Sequence, residues 1–143
     1  MDRAEILGFL NKNQVCWVGT IDGGKPRVRG MMMYRADDKG ILFHSAKPKD
    51  VVKQLRVNPN IELCFEDIDM EDPSKTVQIR VMGTAEFVDD QSLKEEIVAA
   101  RPFLRPMVDE GGYEVMEVFR VKDCKANVWI FAENLAAKAW IDL

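Results

Sequence analysis

The stretch from Gln14 to Asp22 alternates so that Val15, Trp17 and Ile21 fall on one face of an extended strand and Cys16 and Val18 on the other; both faces are apolar. Such a strand has to be covered twice. A chain of 143 residues is long enough for one well-buried core and too short for two domains of ordinary size. The interior of a small barrel then supplies one cover, and a helix or a second subunit the other. A single domain over residues 1–143 is expected.

The rest of the chain reads in the same way. Ile6, Leu7, Phe9 and Leu10 have near-helical spacing and predict a short opening helix over residues 2–12, placed over one end of a sheet. Asp22-Gly23-Gly24 turns the first strand into a second extended run, Lys25 to Arg35, giving a β-hairpin. A polar turn over Ala36 to Gly40 leads to a third strand, Ile41 to Ser45. Pro48 suits a first helical position, Val51, Val52 and Leu55 form the stripe behind it, and Asn58-Pro59 ends the helix. Ile61, Leu63 and Phe65 mark a fourth strand, the acidic segment Asp67 to Ser74 a loop, and Thr76 to Val88 a long fifth strand. Asp89 to Ala100 is predicted helical, Arg101 to Glu110 a second helical piece, and Tyr113 to Val121 and Ala126 to Phe131 the last two strands. Short strands joined by hairpins, with helices inserted rather than alternating, place the chain in the α+β class as a mainly antiparallel β-barrel with a few flanking helices.

Charged residues are 31% of the chain and the formal net charge is -4, which lacks the basic footprint of a nucleic-acid binder. An anionic ligand would need a local basic pocket. No apolar run approaches the ~20 residues of a membrane span, and Met1-Asp2-Arg3-Ala4-Glu5 lacks the basic and apolar regions of a signal peptide. A cytoplasmic protein with neither membrane nor nucleic acid as partner is expected. Cys16, Cys64 and Cys124 are widely spaced with no Cys-x-x-Cys pair, so neither a metal site nor a disulfide framework is indicated. His44 is the one histidine, and without a nucleophile elbow it reads as structural or ligand-contacting rather than as a catalytic base. Glu95-Glu96 and Asp89-Asp90 read as solvation and capping, so no catalytic residue is assigned.

Three segments could carry a ligand. In the first, Arg27, Arg29, Met31 and Met33 share one strand face and Val28, Gly30 and Met32 the other. Two cations beside apolar thioethers suit a flat ligand with an anionic end, and Gly30 lets another group approach the backbone; a solvated edge strand fits the same residues. In the second, His44-Ser45-Ala46-Lys47-Pro48-Lys49 brings a hydroxyl and two ammonium groups to a helix start, a phosphate-favouring combination with Lys47 the better anchor. Lys53 and Arg56 follow at helical spacing as an ordinary solvated face. In the third, Gln78, Arg80 and Met82 oppose Val77, Ile79 and Val81, and the Gln78 amide offers a donor and an acceptor. None of the three is specific alone.

In order and spacing, Pro26-Arg27-Val28-Arg29, His44-Ser45 through Lys47 to Lys53-Gln54-Leu55-Arg56-Val57-Asn58-Pro59, and Gln78-Ile79-Arg80-Val81-Met82-Gly83 together resemble the pyridoxamine 5'-phosphate oxidase-like flavoprotein family, from Val15 to about Phe131. The resemblance implies a split-barrel homodimer with FMN at the subunit interface, each site built from both chains. Arg27, Val28, Arg29, Gly30, Met31 and Met32 would run along the flavin, with an arginine near its phosphate. His44 and Ser45 would border the cofactor, Lys47 and Lys49 stand where the family places phosphate-binding residues, and Gln78 matches a flavin-contacting glutamine. Trp129 or Trp140 of the partner subunit would close the site. The implied activity is FMN-dependent oxidoreduction of a small or aromatic acceptor with a nicotinamide nucleotide as electron donor. The same residues would equally build a non-catalytic electron-transfer or flavin-storage protein, and some split barrels of this type handle haem, here through His44. The tail Lys138-Ala139-Trp140-Ile141-Asp142-Leu143 lacks the Arg- and His-containing motif that holds vitamin B6 in the true oxidases, so oxidation of pyridoxamine phosphate is not expected. Asp50 and Val51 stand near the place of the oxidases' adjacent Arg-Lys pair.

Overall fold

In the computed structural model, which describes residues 1–143, Gly23 and Gly24 take φ of 56° and 78°. That is the left-handed pair a tight hairpin turn requires. It folds β1 (Val15–Asp22) on β2 (Lys25–Met32), with Val15 opposite Met32 and Asp22 opposite Lys25. β3 (Arg35–Asp37), β4 (Gly40–Ala46), β5 (Asn60–Asp67), β6 (Val77–Phe87) and β7 (Met116–Ile130) extend the antiparallel sheet in the order β2-β1-β5-β6-β7-β4-β3, and β8 (Ile141–Asp142) pairs with β7. The two end strands, β2 and β3, are consecutive in the chain. Only Met33 and Tyr34 separate them, and their N–H groups donate to Gln14 O and Leu42 O, each at 2.8 Å. Both rims of the sheet are thus held together by the chain itself, and the sheet curls into a barrel that is split rather than closed by a strand ladder.

The barrel interior takes the inward half of each alternating strand: Val18, Phe43, Leu63, Phe65, Val81 and Phe119 are all fully buried there. Phe43 and Phe119 stack with centroids 5.2 Å apart. Each side chain of this size contributes about 1.5–3 kcal/mol on burial. α1 (Arg3–Lys12) covers one end through Ile6 and Leu10, its start fixed by a capping box between Asp2 and Glu5. α2 (Asp50–Val57) adds Val51, Val52 and Leu55 to the same core. A second, smaller core forms outside the barrel, where α3 (Gln91–Ala100), the 3₁₀ turn Pro102–Leu104 and α4 (Arg105–Gly111) pack Ile97, Val98, Leu104 and Val108 over Leu42, Met116 and Val118. None of the helices is long and apolar enough to cross a membrane.

Four local expectations need correction. The polar turn is shorter than residues 36–40: the extended run breaks at Met33 and Tyr34, and Arg35–Asp37 then pairs with β4. Ala36 is buried and its peptide groups are bracketed by the Asn11 amide at 2.9 and 2.8 Å. Pro48 lies in a tight turn closed by Lys49 N to Ala46 O, and α2 starts at Asp50 with Lys49 as its cap. Tyr113–Val115 is a 3₁₀ turn. The last two expected strands are one continuous β7, in which a β-bulge absorbs the polar stretch that reads as a turn. Met82 faces Lys125 and Thr84 faces Lys122, leaving the single Gly83 opposite Asp123 and Cys124. Asp123 takes φ 52°, and a Cβ on Gly83 would lie 2.6 Å from Val121 Cγ1, so this bulge needs glycine across from it.

Candidate functional site

Cross-strand pairing decides which side chains of β1 and β2 share a face. Val28, Gly30 and Met32 lie with Gly19, Trp17 and Val15 on the outside, while Arg27, Arg29 and Met31 lie with Thr20, Val18 and Cys16 on the inside. The alternation is the one read from the sequence. The outer residues are bare: Val28 is 71% exposed, Val15 68% and Trp17 54%. Gly30 lies against the Trp17 ring, where an added Cβ would make an ordinary contact with Cζ3 at 3.7 Å.

On the inner side Arg29 is half-buried, and its guanidinium donates to Thr20 Oγ1 (2.7 Å), Val18 O (3.2 Å) and Gln54 Oε1 (2.5 Å). The Thr20 hydroxyl donates in turn to Gln54 Oε1 at 2.6 Å. All of these partners are neutral. Burial draws the Arg29 pKa down from its ordinary value, and the Asp50 charge opposes that shift. Arg27 lies 3.5 Å from Asp22, with both side chains near half exposed. Between the β1–β2 hairpin and α2 runs an open cleft of about 700 Å³ lined by Arg27, Val28, Arg29, Asp50, Lys53 and Gln54 among others. Three cations, Arg27, Arg29 and Lys53, line it together with two carboxylates, Asp22 and Asp50.

The other expected residues are spread over the molecule. Ser45 is half-buried on β4 opposite Glu117. His44 sits opposite Val118, where its Nε2 meets Arg101 Nη1 at 2.8 Å; burial and then the Arg101 charge push its pKa down to about 4, so it is neutral at ordinary pH. Lys47 and Lys49 are exposed in the turn before α2. Lys47 lines a separate cleft of about 470 Å³ with Arg56, Lys94 and Glu117, in which Arg56 pairs with the buried Glu117 at 3.0 Å and lies 3.9 Å over the Phe87 ring. Gln78 and Trp129 face each other across β6 and β7. The Gln78 amide donates to Glu66 Oε1 at 2.7 Å, Trp17 Nε1 donates to the other oxygen of Glu66 at 3.3 Å, and Trp129 Nε1 donates to Asn134 Oδ1 at 2.9 Å. One chain therefore gathers Arg27, Val28 and Arg29 at the cleft. It carries Gly30, Met32, Gln78 and Trp129 on the sheet exterior, Met31 inward beside Cys16, and His44 and Lys47 elsewhere.

Sequence reasoning missed Thr20, Gln54, Lys53 and Arg101 as members of these sites. Thr20 had a signal, the one polar residue in the inward series of Cys16 and Val18. Lys53 lies one helical turn after Lys49 and was read as solvated, yet with Gln54 it forms the far wall of the cleft. Arg101 had none.

The family model described as pyridoxamine 5'-phosphate oxidase matches residues 3–117. Among solved structures, a NimC/NimA family protein from Clostridium acetobutylicum is 23% identical with a TM-score of 0.74, over 98% of this chain and 92% of that one. A protein from the same organism, related to general stress protein 26 and described as of the pyridoxinephosphate oxidase family, is 18% identical with a TM-score of 0.68, over 98% and 93%. A FAD-binding protein from Mesorhizobium loti is 15% identical with a TM-score of 0.64, over 90% and 96%. No curated protein matches. At these identities the solved structures establish the fold, a split barrel of the α+β class.

Proposed function

This chain belongs to the pyridoxamine 5'-phosphate oxidase family, whose model spans residues 3–117, and from that premise we propose that it is an FMN-binding flavoprotein. It works as a homodimer with the flavin between subunits and acts as an FMN-dependent oxidoreductase on a small or aromatic acceptor, reduced by a nicotinamide nucleotide. The observation that carries this reading is Arg29, a half-buried guanidinium held only by neutral groups beside Arg27 and Lys53 in one cleft. A half-buried cation whose hydrogen-bond partners are all neutral, with Asp50 acting on it only through its charge, keeps the capacity to take up an anion. The donor set fits a phosphate monoester.

Arg27 and Arg29 would hold that phosphate, each charge-assisted bond contributing about 1.5–3 kcal/mol. β2 pairs only with β1, so main-chain N–H and C=O groups along its free edge are open to the edge of a flat ring. Gln78 and Trp129, on the sheet exterior, suit a contribution from the partner subunit. The bare apolar face of Val15, Trp17, Val28 and Met32 suits a second copy of the chain. The ring supplies the redox chemistry when bound, and the protein supplies binding, orientation and electrostatics. The neighbour described as FAD-binding is consistent with a flavin as the ligand class. A haem bound through His44 Nε2 would have to displace Arg101, which weakens that alternative.

The test is the chromophore. The protein should purify yellow, or take up FMN when it is added, and the pigment released on denaturation should run as FMN. Released FAD would correct the cofactor, and failure to hold any flavin would overturn the reading. Bleaching by a reduced nicotinamide and reoxidation by an added acceptor support the oxidoreductase; flavin that binds but turns over with no donor or acceptor leaves a carrier, a role the absence of an assigned acid or base also fits.

A further inference from the structure

Arg101 caps the end of α3 with its guanidinium buried against three partners. It donates to Met32 O (3.2 Å) and Met33 O (2.5 Å) and meets His44 Nε2 at 2.8 Å, while its Cζ lies 5.3 Å from the centre of the Tyr34 ring. It makes no ion pair. The nearby carboxylate of Glu96 is already taken by the Tyr34 hydroxyl (2.7 Å) and Arg35 (3.3 Å).

Arginine has no acceptor and does not deprotonate in proteins, so the contact with His44 has a single polarity: Arg101 donates and Nε2 accepts. A neutral imidazole accepting at Nε2 carries its hydrogen on Nδ1. No hydrogen bond runs from that Nδ1–H to a protein group, and as it is not among the buried atoms left without a partner it is open to solvent. Beside the imidazole stands Phe103, two residues beyond Arg101 on a 3₁₀ turn and 65% exposed, the two ring centres 6.4 Å apart. A fixed, neutral donor beside an exposed aromatic ring is the arrangement that receives a flat apolar body bearing an acceptor oxygen.

We propose that Arg101 is a positioning residue that locks His44 as the Nδ1–H tautomer and so presents it, beside Phe103, to an acceptor oxygen of a small aromatic ligand such as an aromatic carboxylate. The same guanidinium grips the carbonyls at the end of β2. It therefore ties the donor to the strand that lines the flavin, and in that respect the inference rests on the FMN reading. The low pKa of His44, about 4, keeps the donor neutral through the working range.

His44 is the one histidine in the chain, so 15N-labelled protein as purified gives a single imidazole spin system. Nδ1 should resonate as protonated and Nε2 as unprotonated from pH 8 to pH 5. In Arg101→Met the ring should lose that preference or titrate in the ordinary histidine range, and Arg101→Lys, which keeps a donor, should restore Nδ1–H. A wild-type proton on Nε2, or an Arg101→Met ring identical to wild type, overturns the assignment. If Arg101→Met does not fold, the wild-type tautomer and Arg101→Lys decide. Benzoate added to the wild-type protein should shift the Nδ1 resonance, and Phe103→Ala should weaken that response at least tenfold. No shift up to saturating benzoate overturns the ligand half. The tautomer is read without reference to flavin, so its failure and that of the FMN reading, judged by the chromophore, are separate results.

Discussion

On β4 and β7 the outward residues Leu42, Met116 and Val118 are sealed beneath α3 and α4, whereas on β1 and β2 the outward residues Val15, Trp17, Val28 and Met32 stand in solvent. β1 on one side and β4 on the other are each apolar on both faces. The difference lies in where the chain places its helices: α3 and α4 both fall between β6 and β7 in sequence and pack on the β4–β7 half, while α1 and α2 are absorbed by the barrel core. The β1–β2 half is left for a cover from outside the chain. A fold can thus meet one requirement twice, once by its own helices and once, on our reading, by a second copy of itself.

Two predictions probe the sealed half. Leu42→Ala removes a fully buried side chain from the smaller core and should lower the unfolding free energy by about 3.5 kcal/mol, the middle of the range for such truncations. Urea titration at several protein concentrations checks it, and the loss should be the same at each. The second concerns the polar inset in this half. The folded pKa of His44, about 4, lies below its ordinary 6.5, so the unfolded chain takes up the proton first as pH falls. The stability linked to His44 is therefore complete above about pH 6.5 and lost progressively down to pH 4, by up to about 3 kcal/mol. His44→Asn should flatten that part of the profile, and an unchanged slope between pH 6.5 and pH 4 would break the link.

The contrast between the two halves was partly written in the sequence. Period-2 alternation in Val15 to Ile21 leaves two phases, and only one puts Trp17 outside, where the structure has it. Gly23-Gly24 set the hairpin because a two-residue turn needs left-handed φ, and Val51, Val52 and Leu55 could face only one way on a helix. The bulge was not legible. Lys122 and Asp123 have the polarity of a turn, and only the register against Gly83, nearly forty residues earlier in the chain, shows that the strand runs through them. Arg101 was less legible still: its partners Met32 and Met33 lie 69 and 68 residues away, so nothing local marks it. At the candidate site, Arg27 and Arg29 were readable as paired cations on one strand face, but that Lys53 rather than Lys47 shares their cleft depends on how α2 packs against the hairpin.

On the bare half, Trp17→Ala should leave the stability of the separated subunit within about 1 kcal/mol, as exposed positions do. It should raise the dimer dissociation constant by about 30-fold, the equivalent of roughly 2 kcal/mol for a central aromatic. Sedimentation across a concentration series reads both. A wild-type protein that remains monomeric with FMN bound would break the comparison outright, because the β1–β2 face would then be bare by design.

The smallest expected effect separates the two clefts. Arg27 lines the cleft that holds Arg29, whereas Lys47 lines another in which Arg56 and Glu117 already neutralise one another. If the phosphate sits at Arg29, Arg27→Ala removes an exposed contact worth about 1.4 kcal/mol and weakens FMN binding about tenfold. Lys47→Ala then changes it by less than about threefold, the residue of a screened charge at a distance. Both substitutions are at exposed positions, so neither effect can be assigned to misfolding. The reverse ranking would move the phosphate to the turn before α2, where the Lys47 and Lys49 ammonium groups stand, and would leave the neutral partners of Arg29 as a purely structural bracket between β2 and α2. Flavin fluorescence titration of the two variants against wild type measures the ranking directly, since free and bound flavin differ in emission whichever cleft anchors the phosphate.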